Sequence, residues 1–146
     1  MISKKLNTAI EALAYISLYS AEKAVSSKQI CEALGVKLRY TESLMQNLVK
    51  AGVIKGVRGA GGGYFLAQDR RKITVAEVYD IVKHLGKADK SENYVSGFSG
   101  LSDEINSVID LGLRKILKEI TMEEIYNKAK KIAAKSDKNS KNDFVI

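Results

Sequence analysis

Residues 37–43 carry the side chains of this sequence that are best suited to contact nucleic acid. They read Lys37-Leu38-Arg39-Tyr40-Thr41-Glu42-Ser43. A helix enters the major groove of DNA by its first turns, which therefore need long polar side chains without an acidic excess. Arg39 can donate two hydrogen bonds to guanine, and Glu42 can accept one from a cytosine amino group. The predicted contacts at this helix start are Lys37, Arg39, Tyr40, Glu42 and Ser43. A basic helix start can also be ordinary solvated surface, so the pattern alone leaves both interpretations open.

A second candidate contact is the glycine-rich stretch Val57-Arg58-Gly59-Ala60-Gly61-Gly62-Gly63-Tyr64. It lies between the apolar runs 53–54 and 64–66, which predicts two strands joined by a tight turn, because glycine permits positive φ angles. Arg58 then stands at the base of the turn and can enter the narrow minor groove, where Gly59 lets the backbone approach. No Lys-Ser or Lys-Thr pair follows the glycines and the next segment is a predicted strand, so we do not expect a nucleotide-binding loop.

The residues before this stretch predict the helices that position both contacts. Apolar residues between 3 and 19 have helical spacing, and Ser26 with Gln29 forms a capping box that begins a short second helix. Lys28 in its first turn is suited to bind a phosphate. Gly35 ends that helix, and a third helix runs to Lys50. Its predicted inward residues are Leu38, Leu44, Met45, Leu48 and Val49. Two such helices followed by a hairpin indicate a winged helix-turn-helix domain at 1–86, within a mainly α fold.

The second half of the chain predicts the pairing of two copies. Capping boxes at 74–77 and 121–124 begin a fourth helix and a last helix that ends near Lys135. Between them lie an irregular loop at 87–100, interpreted as a sensing or effector loop, and a helix of about five turns. Its apolar stripe is interpreted as dimer core rather than as a ligand-binding face. The stripe comprises Leu101, Ile105, Val108, Ile109, Gly112, Ile116 and Leu117, of which the first six are assigned to dimerisation. Residues 136–146 are predicted to form a disordered polar tail.

Positive charge is concentrated in the first half of the chain. The formal net charge of the 146 residues is +7, and residues 1–72 hold 12 Lys and Arg against 5 Asp and Glu, whereas the remainder holds 12 of each. A basic half joined to a neutral half indicates a module that binds a polyanion. The sequence offers no nucleophile with a neighbouring base and no carboxylate pair at credible spacing, so we do not expect an enzyme.

Cysteine and histidine are too few to suggest redox or metal chemistry. The single cysteine, Cys31, excludes an internal disulfide and is interpreted as a small packing residue. His84 suits the end of a helix, and no metal or other cofactor is predicted. No uncharged apolar run approaches the ~18 residues of a membrane span, so we expect a cytoplasmic protein.

The glycine-rich stretch, with Leu66-Ala67 after it, resembles the wing signature of the bacterial IscR/NsrR/CymR-type transcription regulators, the Rrf family. The resemblance covers residues 1 to about 134. Further matching positions are Ile30, Gly35-Val36, Tyr40, Glu42, Leu48, Lys50-Ala51-Gly52 and Ile73-Thr74-Val75. It implies a homodimer on a palindromic operator, with the helix from Leu101 crossing its partner. It also implies major-groove positions at Tyr40, Glu42 and Ser43, and minor-groove positions at Arg58 and Gly59.

Four departures from the family pattern affect this expectation. Ala60 stands where the family usually has proline, Lys37 where it has serine, and Asn7-Thr8 where it has Arg-Tyr. The loop 87–100 lacks the three cysteines of cluster-binding members, so we predict no iron–sulfur cluster. We expect a repressor that occludes its operator, switched by an unknown effector or partner protein. The alternative is a module of the same fold that binds a metabolic enzyme or other partner with little DNA binding.

Overall fold

The fold is mainly helical, with one antiparallel hairpin between the third and fourth helices. In the computed structural model the described residues are 3–85, 98 and 100–142. Of residues 141 and 142 only the backbone is described. The elements are α1 (Lys4–Tyr19), α2 (Ser27–Leu34), α3 (Leu38–Lys50), β1 (Ile54–Val57), β2 (Gly63–Leu66), α4 (Val75–Lys83), α5 (Leu101–Lys118) and α6 (Met122–Asn142). This order confirms the predicted winged helix-turn-helix followed by a long helix. No helix within the described ranges is long and apolar enough to cross a membrane.

Side-chain caps determine where the first helices begin. Ser3 caps α1, since its hydroxyl accepts a hydrogen bond from the Leu6 amide at 3.3 Å. The capping box predicted for α2 is present: the Gln29 amide donates to Ser26 Oγ at 3.1 Å, and the Ser26 amide donates to Gln29 Oε1 at 2.9 Å. Gly35 ends α2 with a φ of 67°, which glycine adopts without steric cost. The predicted helix-turn-helix is therefore confirmed, together with its termini.

Helix α3, which the sequence predicts to be the recognition helix, begins without a side-chain cap, since Lys37 occupies the N-cap position and makes no capping hydrogen bond. Three of its predicted inward residues are buried, namely Leu44, Met45 and Leu48. Leu38 and Val49 were also expected to point inward, but they are 44% and 37% exposed. The prediction is wrong for both, and for Leu38 the reason is that Thr41 takes the buried position of the first turn, where its hydroxyl donates to the Lys37 carbonyl at 3.2 Å. At about 100° per residue, Leu38 and Val49 fall at the edge of the buried stripe.

The wing is the hairpin of β1 and β2, paired in register between Ile54–Val57 and Gly63–Leu66. It is tied to the helix-turn-helix by the backbones of Val25 and Tyr64, which exchange hydrogen bonds of 3.0 Å and 2.8 Å. This close approach requires glycine at position 63, because a Cβ there would lie 2.4 Å from the Val25 carbonyl oxygen. The bridge therefore holds the wing beside the residue that precedes the cap of α2.

The core lies between α1, α3 and α4 and is closed by the first residue of α6, Met122. The turn from α5 to α6 is held to the start of α4, since the Val75 amide donates to the Ile120 carbonyl and the Met122 amide to the Ile73 carbonyl, both at 2.8 Å. Leu117, which the sequence placed in the stripe of the long helix, is buried in this core. It lies on the side of α5 that packs against α4, and so it does not belong to the exposed stripe.

The last helix is longer than the sequence indicated. α6 continues to Asn142, well beyond the expected end near Lys135, so the segment expected to be a tail is helical as far as that residue. No glycine or proline interrupts 122–142, and alanine and lysine favour helix even without tertiary contacts. Polarity alone therefore did not predict the end of this helix.

Candidate nucleic-acid interface

The residues predicted to contact the major groove lie together at the exposed start of α3. Lys37 is the N-cap residue, and Arg39, Glu42 and Ser43 are exposed on the first two turns. Tyr40 is half-buried. Because the opposite side of α3 packs into the core, this polar side is held toward solvent. The arrangement can present two cations (Lys37 and Arg39), one anion (Glu42) and the Ser43 hydroxyl to DNA from a rigid helix.

Tyr40 lines a groove of about 550 Å³ between the start of α3 and α1. The α1 side of the groove includes Lys4, Lys5 and Thr8. The Lys5 ammonium donates a hydrogen bond to the Leu85 carbonyl, which holds the start of α1 to the end of α4. Lys4 is exposed and brings a further cation close to the recognition helix. The sequence pattern did not single out this lysine.

A second cleft, of about 680 Å³, separates α3 from the wing. One side is formed by Gln46, Val49 and Lys50 of α3, the other side includes Arg58, and Ser27 at the start of α2 completes the lining. Hydroxyl and ammonium groups with a helix N-terminus are the groups that bind phosphate oxygens. Val49 is exposed because it faces this cleft, which explains why it does not pack inward.

Two polar residues of this cleft, Gln46 and Lys50, were missed by sequence reasoning. Both continue the helix face of Arg39 and Ser43, since positions 39, 43, 46 and 50 repeat at intervals of three or four residues. That spacing is visible in the sequence. It was missed because only the first turns of the helix were considered as contacts.

The tip of the wing presents Arg58 and Gly59 to solvent. Arg58 directly follows β1, as predicted, and both residues are exposed. The tip is a tight turn in which the Gly62 amide donates to the Gly59 carbonyl at 2.9 Å. Gly61, the third residue of this turn, has a φ of 73°. Arg58 lines the same cleft as Gln46, Val49 and Lys50, so the wing and the later turns of α3 flank one concavity.

Helix α2, which precedes α3, presents Lys28 on its first turn, where the side chain is exposed. Cys31 is half-buried, and its thiol donates to the Lys28 carbonyl at 3.2 Å. His84 is the exposed C-cap residue of α4. Within residues 3–85, 98 and 100–142, no group of three or more potential ligands could hold a metal ion.

The residues assigned to dimerisation lie along one exposed side of α5. The large side chains among them are 51% to 71% exposed, namely Leu101, Ile105, Val108, Ile109 and Ile116. Gly112 lies among them, and apart from its chain neighbours and the backbone of its own helix no described atom comes within 4 Å of the position that a Cβ would occupy there. The expected sensing loop, 87–100, falls outside the described residues apart from Phe98 and Gly100, the N-cap of α5.

Comparison with known proteins gives a family and a fold. The family profile described as "Rrf2: Iron-dependent Transcriptional regulator" matches residues 2–128. The HTH-type transcriptional regulator IscR of Pectobacterium atrosepticum is 30% identical over 129 residues, which cover 86% of this chain and 79% of that protein. IscR of Photorhabdus laumondii is 40% identical over 77 residues, and that match spans 47% of its length. The solved structure of T. potens IscR superposes with a TM-score of 0.66 at 27% identity, covering 88% of each chain.

Proposed function

The chain belongs to the Rrf2 family of transcription regulators, and we propose that it acts as a homodimeric repressor on a palindromic DNA operator. The observation that carries this proposal is the cleft between α3 and the wing. It is lined by Lys50 and Arg58, and the exposed start of the recognition helix lies on the same polar side of α3. A backbone phosphate in the cleft would leave α3 in the major groove and the wing in the adjoining minor groove.

The exposed side of α5 supports the homodimer. Its five large apolar side chains remain at least half exposed, and full burial of such a side chain stabilises by about 1.5–3 kcal/mol. A contiguous apolar stripe of this kind is typical of an interaction surface. A second copy of the same stripe would bury both at once, as a two-fold interface requires. Two recognition helices would then face half-sites about one helical turn of DNA apart, or a multiple of it.

The name of the family refers to iron, and the donor groups of this chain do not fit an iron–sulfur cluster. Such clusters are held by cysteine thiolates, most often four. The chain has one cysteine and one histidine. Cys31 lies in α2 with its thiol directed to the Lys28 carbonyl, and His84 caps the separate helix α4. We therefore propose that regulation uses no cluster, and that an effector or partner protein supplies the signal. A regulator of this kind would act in the cytoplasm.

Operator binding is the test. Selection of bound sequences from a random pool should return an inverted repeat, and affinity for it should fall steeply with salt, because phosphate contacts release counterions. Arg39→Ala should weaken the selected site by about 1–3 kcal/mol relative to random DNA. Lys28→Ala is the matched cation control and should weaken all sequences alike. Salt-independent or absent binding to any duplex would instead support a protein-interaction module, and unchanged discrimination in Arg39→Ala would contradict the proposed reading of bases.

A further inference from the structure

The contact between α4 and α5 combines a small apolar part with a network of charges. Among the described elements, α4 is the main packing partner of α5. Leu113 and Leu117 of α5 supply the apolar part. Around them lie two acidic and two basic side chains with one tyrosine, here called the polar joint: Tyr79, Asp80, Lys83, Asp110 and Arg114.

Each helix contributes one acid and one base to the polar joint, and the pairs cross between the helices. Tyr79 donates to Asp110 Oδ1 at 2.5 Å, while Lys83 Nζ lies 3.3 Å from Asp110 Oδ2. Arg114 donates to Asp80 Oδ2. The hydrogen bond from Tyr79 lowers the pKa of the Asp110 carboxyl, and the same bond raises the pKa of the tyrosine. The two helices are thus joined at two points about one helical turn apart, at positions 110 and 114.

These charged contacts fix the direction of α5 relative to α4 more than they stabilise the fold. All four charged side chains are between 28% and 44% exposed, and exposed ion pairs contribute little to the free energy of unfolding. Apolar burial is not directional, so two leucines alone would allow α5 to rotate or tilt against α4. Asp80 Oδ1 is buried without a hydrogen bond in the described part of the chain, and Lys83 Nζ lies 3.6 Å from it. The polar joint therefore fixes the angle between α4 and α5, although not all of its polar atoms are hydrogen-bonded.

A small change of that angle has a large effect at the DNA. The 18 residues of α5 span about 27 Å, so a tilt of about 10° displaces the far end by about 5 Å. One base-pair step is about 3.4 Å. Resting on the proposed homodimer, we propose that the polar joint sets the distance between the two recognition helices, and so the half-site spacing that the protein accepts.

The distance between the two protomers can be measured directly. Ala33 is exposed on α2, so Ala33→Cys in a Cys31→Ser background places one spin label on each helix-turn-helix of the dimer. Double electron–electron resonance then gives the distance distribution. Asp110→Ala, which removes the partner of both Tyr79 and Lys83, should shift the mean distance by several ångström or broaden the distribution at least twofold. Asp103→Ala is the matched control: it removes an exposed aspartate of the same helix with no described ion pair and should leave the distribution unchanged.

Sedimentation and thermal unfolding of each labelled protein separate the possible failures. A dimeric, folded Asp110→Ala protein with the parental distribution overturns the role of the joint and leaves the proposed function intact. A folded but monomeric Asp110→Ala protein also overturns it, because Asp110 would then act in dimer formation. If that variant does not fold, Asp110→Asn, which keeps the shape and removes the charge, is judged by the same distances. A parental protein that is itself monomeric refutes the proposed homodimer.

Discussion

Replacing Gly112 by alanine should have two opposite effects, and their combination tests where the dimer interface lies. Gly112 sits in the middle of α5 with open space around it. Glycine inside a helix is about 1 kcal/mol less favourable than alanine, so Gly112→Ala should stabilise an isolated protomer by roughly that amount. Nothing described in its own chain explains a glycine here. A partner helix that crosses at this point would explain it, because only glycine permits the closest backbone approach.

In the dimer the added methyl groups would face the partner from both protomers. Overpacking a closely packed contact costs about 1–3 kcal/mol, which corresponds to about a 5- to 150-fold rise in the dimer dissociation constant. Sedimentation over a dilution series gives that constant. Thermal unfolding recorded well below it gives the stability of the protomer, since unfolding above it would mix the two quantities. We therefore expect a weaker dimer built from a more stable protomer.

Ser107→Ala provides the control, because Ser107 is exposed on the side of α5 away from the stripe. It also improves helix propensity, by a smaller amount, and should leave the dissociation constant unchanged. If Gly112→Ala stabilises the protomer and the dimer is as tight as before, α5 does not cross its partner at this position. In that case Val108→Asp, which places a charge in the same stripe, should also leave the protomers associated.

Two further predictions concern the DNA cleft and the polar joint. Lys50→Ala should weaken binding to all duplexes alike and reduce the slope of log affinity against log salt by about 1, as one lost phosphate contact requires. Fluorescence anisotropy at several salt concentrations measures this slope, with Lys55→Ala on the wing strand as the control. A loss of affinity that depends on the DNA sequence would contradict the prediction. Asp110 has a lowered pKa in the folded protein, so its contribution to stability is fully present above the unfolded pKa of about 3.9 and is lost as the pH falls below it. Thermal unfolding from pH 3 to 8 should therefore show a shallower acid limb in Asp110→Asn, and parallel acid limbs would exclude this assignment.

Features that depend on a few neighbouring residues could be predicted from the sequence. The capping box of α2 and the glycine that ends it follow from residues at most a few positions apart, and both are present. The buried middle of α3 followed from its apolar spacing. The exposure of Leu38 at its start did not, because Thr41, whose hydroxyl donates to the Lys37 carbonyl, takes the buried position there, and a polar residue carries no hydrophobic signal. Leu117 was misassigned for a related reason: α5 has two apolar sides, and only the packing of α4 distinguishes them.

Contacts between distant residues could not be predicted from local patterns. Gly63 was correctly placed in the hairpin, but its steric role depends on Val25, almost forty positions away. The ion pairs between α4 and α5 likewise join residues about thirty positions apart. The candidate site combines both kinds of information: Arg39 and Arg58 were recognisable by type and position. The cleft between Lys50 of α3 and Arg58 of the wing depends on the distant bridge from the wing to Val25.

The turn at the tip of the wing allows a prediction for a proline at position 60, where the resemblance to the family indicates one. The hydrogen bond from the Gly62 amide to the Gly59 carbonyl makes 59–62 a β-turn, with Ala60 as its second residue and Gly61, at a φ of 73°, as its third. A positive φ at the third position is the type II arrangement, in which proline is common at the second. No described backbone hydrogen bond outside the strands uses the Ala60 amide.

Ala60→Pro should therefore stabilise the protein by about 0.4–1 kcal/mol, because it restricts the unfolded chain without straining the turn. Since Gly63 and Val25 already fix the root of the wing, the substitution should leave the spacing of the two DNA contacts unchanged and alter operator affinity by less than about 1 kcal/mol. Chemical denaturation and anisotropy measure the two quantities, with Ala67→Pro, after the end of β2 where the amide donates to the Val53 carbonyl, as a destabilising control. A loss of stability in Ala60→Pro would show that the turn is not of type II. A large change in affinity with unchanged stability would show that the tip, rather than its bridged root, determines how the wing meets DNA.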